Sequence, residues 1–278
     1  RVDASGIRRD LAHEVETNTL NSYAVETIAG VDLKLSLDAR IQRLADRALV
    51  CTNRVVTNDS AVLAETVYTN GAVVVLDPRN GDILAMVSRP AFDPDEMAAG
   101  VSHARWTEIA TDVKKPMLNR AVSGVYAPGS LFKVVVAAAG LQKGIPAATA
   151  FDCPGYYALG STRLGCWKTS GHGQGIEMGR GIEQSCNVYF CSLGQRCGYE
   201  TVYEMASAIG IGKKMGTEID GEVKGRLPAV SSIRTRGDVA NVSIGQGAVE
   251  CTPLQMAVLA GTMAMGGRVC TPRILIGN

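Results

Sequence analysis

The stretch Tyr126-Ala-Pro-Gly-Ser130-Leu-Phe-Lys133-Val-Val-Val-Ala-Ala-Ala139 reads as a Pro-Gly turn that delivers a serine to the first turn of a buried helix. Ser130 and Lys133 stand three residues apart, so on a helix they share a face and their side chains can meet. A serine hydroxyl alone is a weak nucleophile near neutral pH. A lysine desolvated against the apolar run Val134 to Ala139 gives up its proton more easily and can act as the base that activates it. A capping serine followed by a snorkelling lysine would spell the same four letters, so the rest of the chain has to decide between chemistry and an ordinary helix start.

The 278 residues are 46% apolar and 5% aromatic with 31 glycines, which suits one large globular domain with a substantial core. A net charge of +1 leaves no electrostatic footprint for nucleic acid or acidic lipid, so neither is expected as a partner. No apolar run reaches the roughly 18 residues that a membrane span needs. The chain opens at Arg1-Val-Asp without an initiator methionine and reads as a piece of a longer protein. Eight cysteines is a high count, and spacing has to decide among disulfides, free thiols and metal ligands.

Outward from the Ser130 turn, local patterns predict the surrounding elements. Val31-Asp-Leu-Lys-Leu-Ser-Leu37 alternates as a half-buried strand does, and Asp38 can cap a helix whose apolar face is Ile41, Leu44, Ala45, Ala48 and Leu49. Residues 51–70 are polar and read as a loop. Two apolar runs flanking Pro78-Arg-Asn-Gly81 predict a hairpin whose strands lie mid-sheet, covered on both faces, with Asp77 and Asp82 as turn formers. Residues 89–124 are turn-rich with short helices near Trp106, and residues 150–175 are irregular. Helices are predicted over 179–197 and 199–209, a strand over 239–244, and a capped helix from Thr252-Pro-Leu-Gln255 to Gly266-Gly267.

Ser185-Cys186-Asn187 follows Ser130 by 55 residues. An S-x-N triplet offers a hydroxyl that can pass a proton to a leaving amine and an amide that can hold both Lys133 and a substrate carbonyl. S-x-x-K followed by S-x-N is the motif order of serine acyltransferases that react with penicillin. Together the two motifs point to acyl transfer.

At this point a wider resemblance is evident. Gly71-Ala-Val-Val-Val-Leu-Asp-Pro-Arg-Asn-Gly-Asp-Ile-Leu-Ala-Met-Val-Ser88, Asn119-Arg-Ala-Val, the Tyr126–Lys133 stretch, Cys166-Trp-Lys-Thr-Ser-Gly-His-Gly173, Ser185-Cys-Asn-Val-Tyr-Phe, Ser243-Ile-Gly-Gln-Gly247 and Thr252-Pro-Leu-Gln255 resemble class B, elongation-type penicillin-binding proteins. The likeness runs from about residue 31 to the end, with residues 1–30 similar to the base of an N-terminal pedestal. It implies an α/β (α+β) transpeptidase fold of the kind shared with serine β-lactamases: a mainly antiparallel sheet flanked by helices, plus a helical subdomain carrying S-x-N. It further implies that Ser130 is acylated by D-Ala-D-Ala stem peptides or by β-lactams, with Lys133 as base and Ser185 and Asn187 in relay and positioning. The Ser130 backbone N–H would supply half of an oxyanion hole. Implied partners of the full-length protein are a glycan-polymerising membrane protein and rod-shape scaffold proteins. The implied location is the bacterial periplasm, with an N-terminal anchoring helix outside this chain.

The family's third motif, K-T-G, is missing. Lys168-Thr-Ser170 precedes S-x-N and so is in the wrong order, and Lys213-Lys-Met-Gly-Thr217 sits in a glycine-rich stretch. The resemblance puts the true motif beyond Asn278, so this polypeptide is expected to turn over weakly or not at all. Alternative readings of the same motifs are a serine β-lactamase, for which no deacylating glutamate is evident, and a non-catalytic penicillin-binding sensor or scaffold.

Cys153, Cys166, His172 and Cys186 are spaced C-x12-C-x5-H-x13-C. Three thiols and an imidazole form a closed donor set for structural zinc, and the glycine-rich segment they bracket has little apolar content to hold it. One or two disulfides with His172 as a hydrogen-bonder, or free thiols, remain open alternatives. Cys51, Cys191, Cys197, Cys251 and Cys270 have no ligand-like spacing, and His13 and His103 read as surface or packing residues. Gly245-Gln-Gly247 reads as a tight turn near the cleft, and Met256, Met263 and Met265 as core filler.

Overall fold

Asn80-Gly81 closes the predicted hairpin. In the computed structural model, which describes residues 32–56, 62–68 and 70–276, β3 (Gly71–Leu76) pairs antiparallel with β4 (Ile83–Arg89). Gly81 takes φ +84, and a Cβ there would lie 2.0 Å from the Thr271 carbonyl oxygen, so both the turn and its neighbour demand glycine. A register shift between Val75 and Leu76 turns Ile83 toward one face while Ala85 and Val87 pack on the other. Helix α1 (Ala39–Ala48), capped by Asp38, covers the Ala85 face through Ile41, Ala45 and Leu49. The opposite face meets α4 (Arg120–Ser123) and α10 (Pro253–Ala264).

Both faces are thus covered, as expected. The mid-sheet position is not seen among the described residues, where β3 pairs only with β4 and stays half-buried throughout. The Gln42 carboxamide sits on the other edge of β4: its Nε2 donates to the Met86 carbonyl at 2.8 Å and its Oε1 accepts from the Met86 N–H at 2.8 Å. A helix side chain thereby substitutes for a neighbouring strand.

The larger core lies among α5 (Lys133–Gln142), α7 (Asn187–Cys197), α8 (Tyr199–Ile209) and α9 (Arg236–Ser243). Phe132, Val135, Val136, Tyr189, Phe190, Leu193 and Ile211 are fully enclosed there. Burying side chains of this size contributes about 1.5–3 kcal/mol each. Helices α2 (Pro94–Ala99) and α3 (His103–Thr111) decorate the turn-rich stretch, with His103 exposed at the start of α3. All named strand pairs are antiparallel. Among the described residues no helix is long and apolar enough to cross a membrane. Ser36–Ile276 forms one compact unit. The proposed pedestal segment 1–30 and His13 lie outside the described residues.

Several elements depart from the sequence expectation. Residues 32–34 have no regular structure and the stretch before Asp38 forms no named strand; Ser36 instead donates its N–H to the Ile274 carbonyl at 2.8 Å. Leu44 is 64% exposed, because Gln42 rather than Leu44 turns toward β4. Residues read as a loop form the hairpin β1 (Val50–Val56) and β2 (Val62–Tyr68), whose valines and threonines favour extended backbone. The irregular segment folds into two small hairpins, β5 (Phe151–Cys153) with β8 (Gly173–Ile176) and β6 (Tyr156–Leu159) with β7 (Thr162–Gly165). The strand predicted over 239–244 is helix α9, opened by a Thr235/Asp238 capping box that the apolar alternation hid. Met263 is 52% exposed and is not core filler.

Candidate active site

Ser130 lies in a 3-10 turn, Gly129–Phe132, and the α-helix begins only at Lys133. Three backbone contacts fix this turn. Tyr126 and Cys251 exchange N–H and carbonyl groups at 3.0 and 2.8 Å, and the Gly129 N–H donates to the Gly245 carbonyl at 2.9 Å. Phe132, fully buried, anchors the far end.

Lys133 is 2% exposed. Its Nζ lies 2.7 Å from the Ser185 carbonyl oxygen, 2.7 Å from Asn187 Oδ1, 3.0 Å from Ser185 Oγ and 3.2 Å from Ser130 Oγ. No carboxylate is among these partners. Burial pushes the ammonium pKa below its ordinary value, outweighing nearby thiols that would raise it. A neutral amine suits the geometry. Two N–H groups serve the two short carbonyl-type acceptors, and the lone pair is left facing the hydroxyls.

Ser185 separates what the sequence reads as one helix over 179–197 into α6 (Met178–Glu183) and α7. Its φ of +50 is unusual for a residue with a side chain, and it brings Ser185 Oγ to 2.9 Å from Ser130 Oγ. Asn187, the first residue of α7, accepts from Lys133 with Oδ1 and donates from Nδ2 to the Gly165 carbonyl at 3.1 Å. One amide hydrogen of Asn187 is left over for a ligand. Ser130, Ser185 and Asn187, with Trp167, Ile244 and Gln246, line an open cleft of about 580 Å³. The four-group arrangement can move a proton from Ser130 to Lys133 and onward through Ser185.

Behind the S-x-N loop, the ligand atoms of Cys153, Cys166, His172 and Cys186 all lie within 4.8 Å of one another, and all four residues are buried. His172 Nδ1 is 3.4 Å from Cys153 Sγ and 3.5 Å from Cys166 Sγ. The three thiols are unbridged. Tetrahedral zinc with sulfur bonds of about 2.3 Å separates its ligands by about 3.8 Å, so the residues present fit the metal. Burial, followed by the charges of Lys168, Arg180 and Lys133, lowers the His172 pKa and favours the neutral imidazole a metal requires. Burial raises the Cys166 thiol, but backbone N–H groups of Asn187, Lys168 and Val188 more than offset it, and the net shift is downward. Cys186 caps α7, its Sγ accepting from the Tyr189 N–H at 3.4 Å.

The penicillin binding protein transpeptidase domain family matches residues 71–277. The chain belongs to this family. A peptidoglycan D,D-transpeptidase MrdA from Acinetobacter baumannii is 36% identical over 256 residues, covering 88% of this chain and 35% of that protein. Among solved structures, the Helicobacter pylori PBP2 in complex with MreC is 29% identical at a TM-score of 0.77, covering 88% of this chain and 44% of that one. The ceftriaxone acyl-enzyme of penicillin-binding protein A from M. tuberculosis is 26% identical at a TM-score of 0.79, covering 98% and 58%. The chain therefore spans about a third of the length of the curated relative it matches, and the expected fold is that of its family.

For this penicillin-binding protein domain, every residue singled out from the two sequence motifs converges on one cleft, and the four spaced metal-ligand candidates form one cluster. The two K-T-G look-alikes stay outside the cleft. Lys213 Nζ reaches the Ser207 carbonyl at 3.0 Å, and Thr217 is tied to Glu222. Asp77 and Asp82 are turn formers that also pair with Arg79 and Arg273. Cys191, Cys197 and Cys251 are buried free thiols and Cys270 is a half-buried one. Trp167, Ile244 and Gln246 were not singled out from sequence as cleft residues. Only the placement of Gly245-Gln-Gly247 near the cleft hinted at one of them.

Proposed function

We propose that this domain performs the acyl transfer of a peptidoglycan D,D-transpeptidase of cell-wall elongation. The observation that carries the reading is the contact of Lys133 Nζ with Ser130 Oγ, closed by Ser185 Oγ at 2.9 Å from the nucleophile. The Ser130 proton passes to Lys133 as Oγ attacks the carbonyl carbon between the two terminal D-alanines of a stem peptide. The C–N bond then breaks, and the departing D-alanine amine takes a proton through Ser185, leaving a Ser130 ester. An amine from a neighbouring stem attacks that ester, forms the crosslink and returns the proton to Ser130. Asn187 holds Lys133 and offers its remaining amide hydrogen to the donor peptide. In a β-lactam the broken C–N bond is in the ring, so the leaving amine stays tethered and the adduct persists.

Cys153, Cys166, His172 and Cys186 would hold one structural zinc, which supplies crosslinking of the glycine-rich segment to the S-x-N loop. The unbridged thiols and their convergence support zinc over disulfides. The likeness to an MreC-bound relative supports a rod-shape scaffold partner for the full-length protein, with a glycan polymerase as a further partner and a periplasmic, membrane-anchored setting.

The test is intact-mass analysis of the full-length protein after benzylpenicillin. A single adduct that is lost in Ser130→Ala and outlasts an hour supports the reading. Rapid release marks a β-lactamase. An adduct without exchange on a D-Ala-D-Ala peptide marks a sensor.

A further inference from the structure

Ser185 occupies the position at which a helix end ordinarily calls for glycine. Its N–H donates to the Ile182 carbonyl at 3.0 Å and the Cys186 N–H donates to the Gly181 carbonyl at 2.9 Å, the paired bonds that close a helix through a left-handed residue. With φ +50, Ser185 is that residue, and among the described residues only Lys115 shares a positive φ without being glycine. A side chain disfavours this conformation, so it persists only where the surroundings hold it. It is also the conformation that brings Ser185 Oγ to Ser130 Oγ at 2.9 Å and to Lys133 Nζ at 3.0 Å.

Two consecutive residues, Cys166 and Trp167, hold the chain on either side of it. Trp167 Nε1 donates to the Gln184 carbonyl at 2.9 Å, the carbonyl that ends α6 just ahead of Ser185. The Cys166 sulfur accepts from the N–H groups of Asn187 and Val188, which open α7 just after the kink. The Ser185–Cys186 kink is thus gripped from both ends, and on the kink itself the Ser185 carbonyl accepts from Lys133 Nζ at 2.7 Å. Trp167 is not placed there by burial. It is 66% exposed, and its ring meets that of His172 edge to face with 5.4 Å between centroids. An indole so exposed is fixed by its single donor and by that one ring contact.

We propose that Trp167 is a positioning residue for acyl transfer: its indole N–H, held on the Gln184 carbonyl, fixes the peptide that enters Ser185 and so keeps Ser185 Oγ within reach of Ser130. This rests on the transpeptidase reading. Because the contact is to backbone, Trp167 acts through Ser185 whatever molecule acylates the nucleophile. Without the N–H, Ser185 relaxes toward the right-handed or extended backbone that side chains prefer, and its hydroxyl swings out of the relay. Asn187 stays in place, tied to Lys133 and to the Gly165 carbonyl, so the damage is confined to the proton path through Ser185.

The experiment is a double-mutant cycle on benzylpenicillin acylation of the full-length protein. Trp167→Phe keeps an aromatic ring beside His172 and removes the N–H. It should slow acylation about fivefold to tenfold, the scale of one lost hydrogen bond. In a Ser185→Ala background, where no hydroxyl is left to position, the same change should cost less than about twofold. Placing 3-benzothienylalanine at position 167, an isostere of tryptophan with sulfur in place of the N–H, should reproduce the Trp167→Phe rate with an unchanged thermal midpoint, which separates the lost donor from lost packing. Unchanged acylation with the isostere would overturn the proposal. Equal slowing by Trp167→Phe with and without the Ser185 hydroxyl would also overturn it, because Trp167 would then act on the ligand directly. A wild-type protein that benzylpenicillin does not acylate fails the transpeptidase reading itself, an outcome distinct from either.

Discussion

Lys133 Nζ lies 2.7 Å from Asn187 Oδ1 although 54 residues separate them. This contact joins the nucleophile's helix to the S-x-N loop and leaves the lysine with acceptors but no counter-charge. Asn187→Ala should cut acylation of the full-length protein by roughly 10²-fold, because Lys133 loses a short acceptor and the donor peptide loses an amide. Stopped-flow measurement of penicillin acylation reads this directly. A loss under threefold would remove Asn187 from the machinery.

The buried lysine predicts the direction of the pH dependence. Its pKa is lowered from the ordinary lysine value of 10.5, so the neutral base accumulates as pH rises through the lowered value. Acylation should rise with pH and level off below pH 10.5. The unfolded chain holds its lysine proton longer, so between the two pKa values the folded state gains stability with rising pH and loses it as pH falls. Lys133→Arg, which cannot deprotonate, should lower acylation by roughly 10²–10⁴-fold at every pH. A pH-independent rate in the wild type would refute the base assignment.

The cysteine–histidine cluster predicts about one zinc per chain by elemental analysis. Chelation, or Cys186→Ala, should lower the thermal midpoint and slow Ser130 acylation, because Cys186 sits between Ser185 and Asn187. An unchanged midpoint after metal stripping would count against the metal.

Gly245→Ala places a methyl 2.0 Å from the Gly129 carbonyl at a backbone φ of +71. It should destabilise by more than about 1 kcal/mol and slow acylation even though the alanine touches no substrate. Chemical denaturation together with acylation kinetics would show whether both fall.

Arg120 is 7% exposed, and its guanidinium donates to the carbonyls of Lys114, Lys115, Leu118 and Pro90. Arg120→Ala should leave several of these carbonyls unpaired and cost about 3 kcal/mol in urea denaturation. Arg120→Lys, with fewer donors, should recover only part of it. Equal stability of both variants and the wild type would show that water serves these carbonyls as well.

Local chemistry was legible wherever it was local. The Asn80-Gly81 hairpin, the Asp38 cap, the Thr252-Pro-Leu-Gln255 capping box and the i,i+3 pair Ser130 and Lys133 each follow from spacing a few residues long. The four ligand candidates Cys153, Cys166, His172 and Cys186 could be chosen because few residue types bind zinc. Patterns that serve two structures misled: alternation over 239–244 concealed a helix, and polar residues over 51–70 concealed strands. By itself the sequence determined which side chains carry chemistry and which short turns hold them. Only the tertiary structure decided that Ser185 breaks a helix at positive φ to reach Ser130, that Lys133 meets Asn187, and that the Gly245 carbonyl accepts from the Gly129 N–H beside the nucleophile. Those contacts join segments some fifty to more than a hundred residues apart, and the packing of α7 against α5 and α9, not any local preference, brings them together.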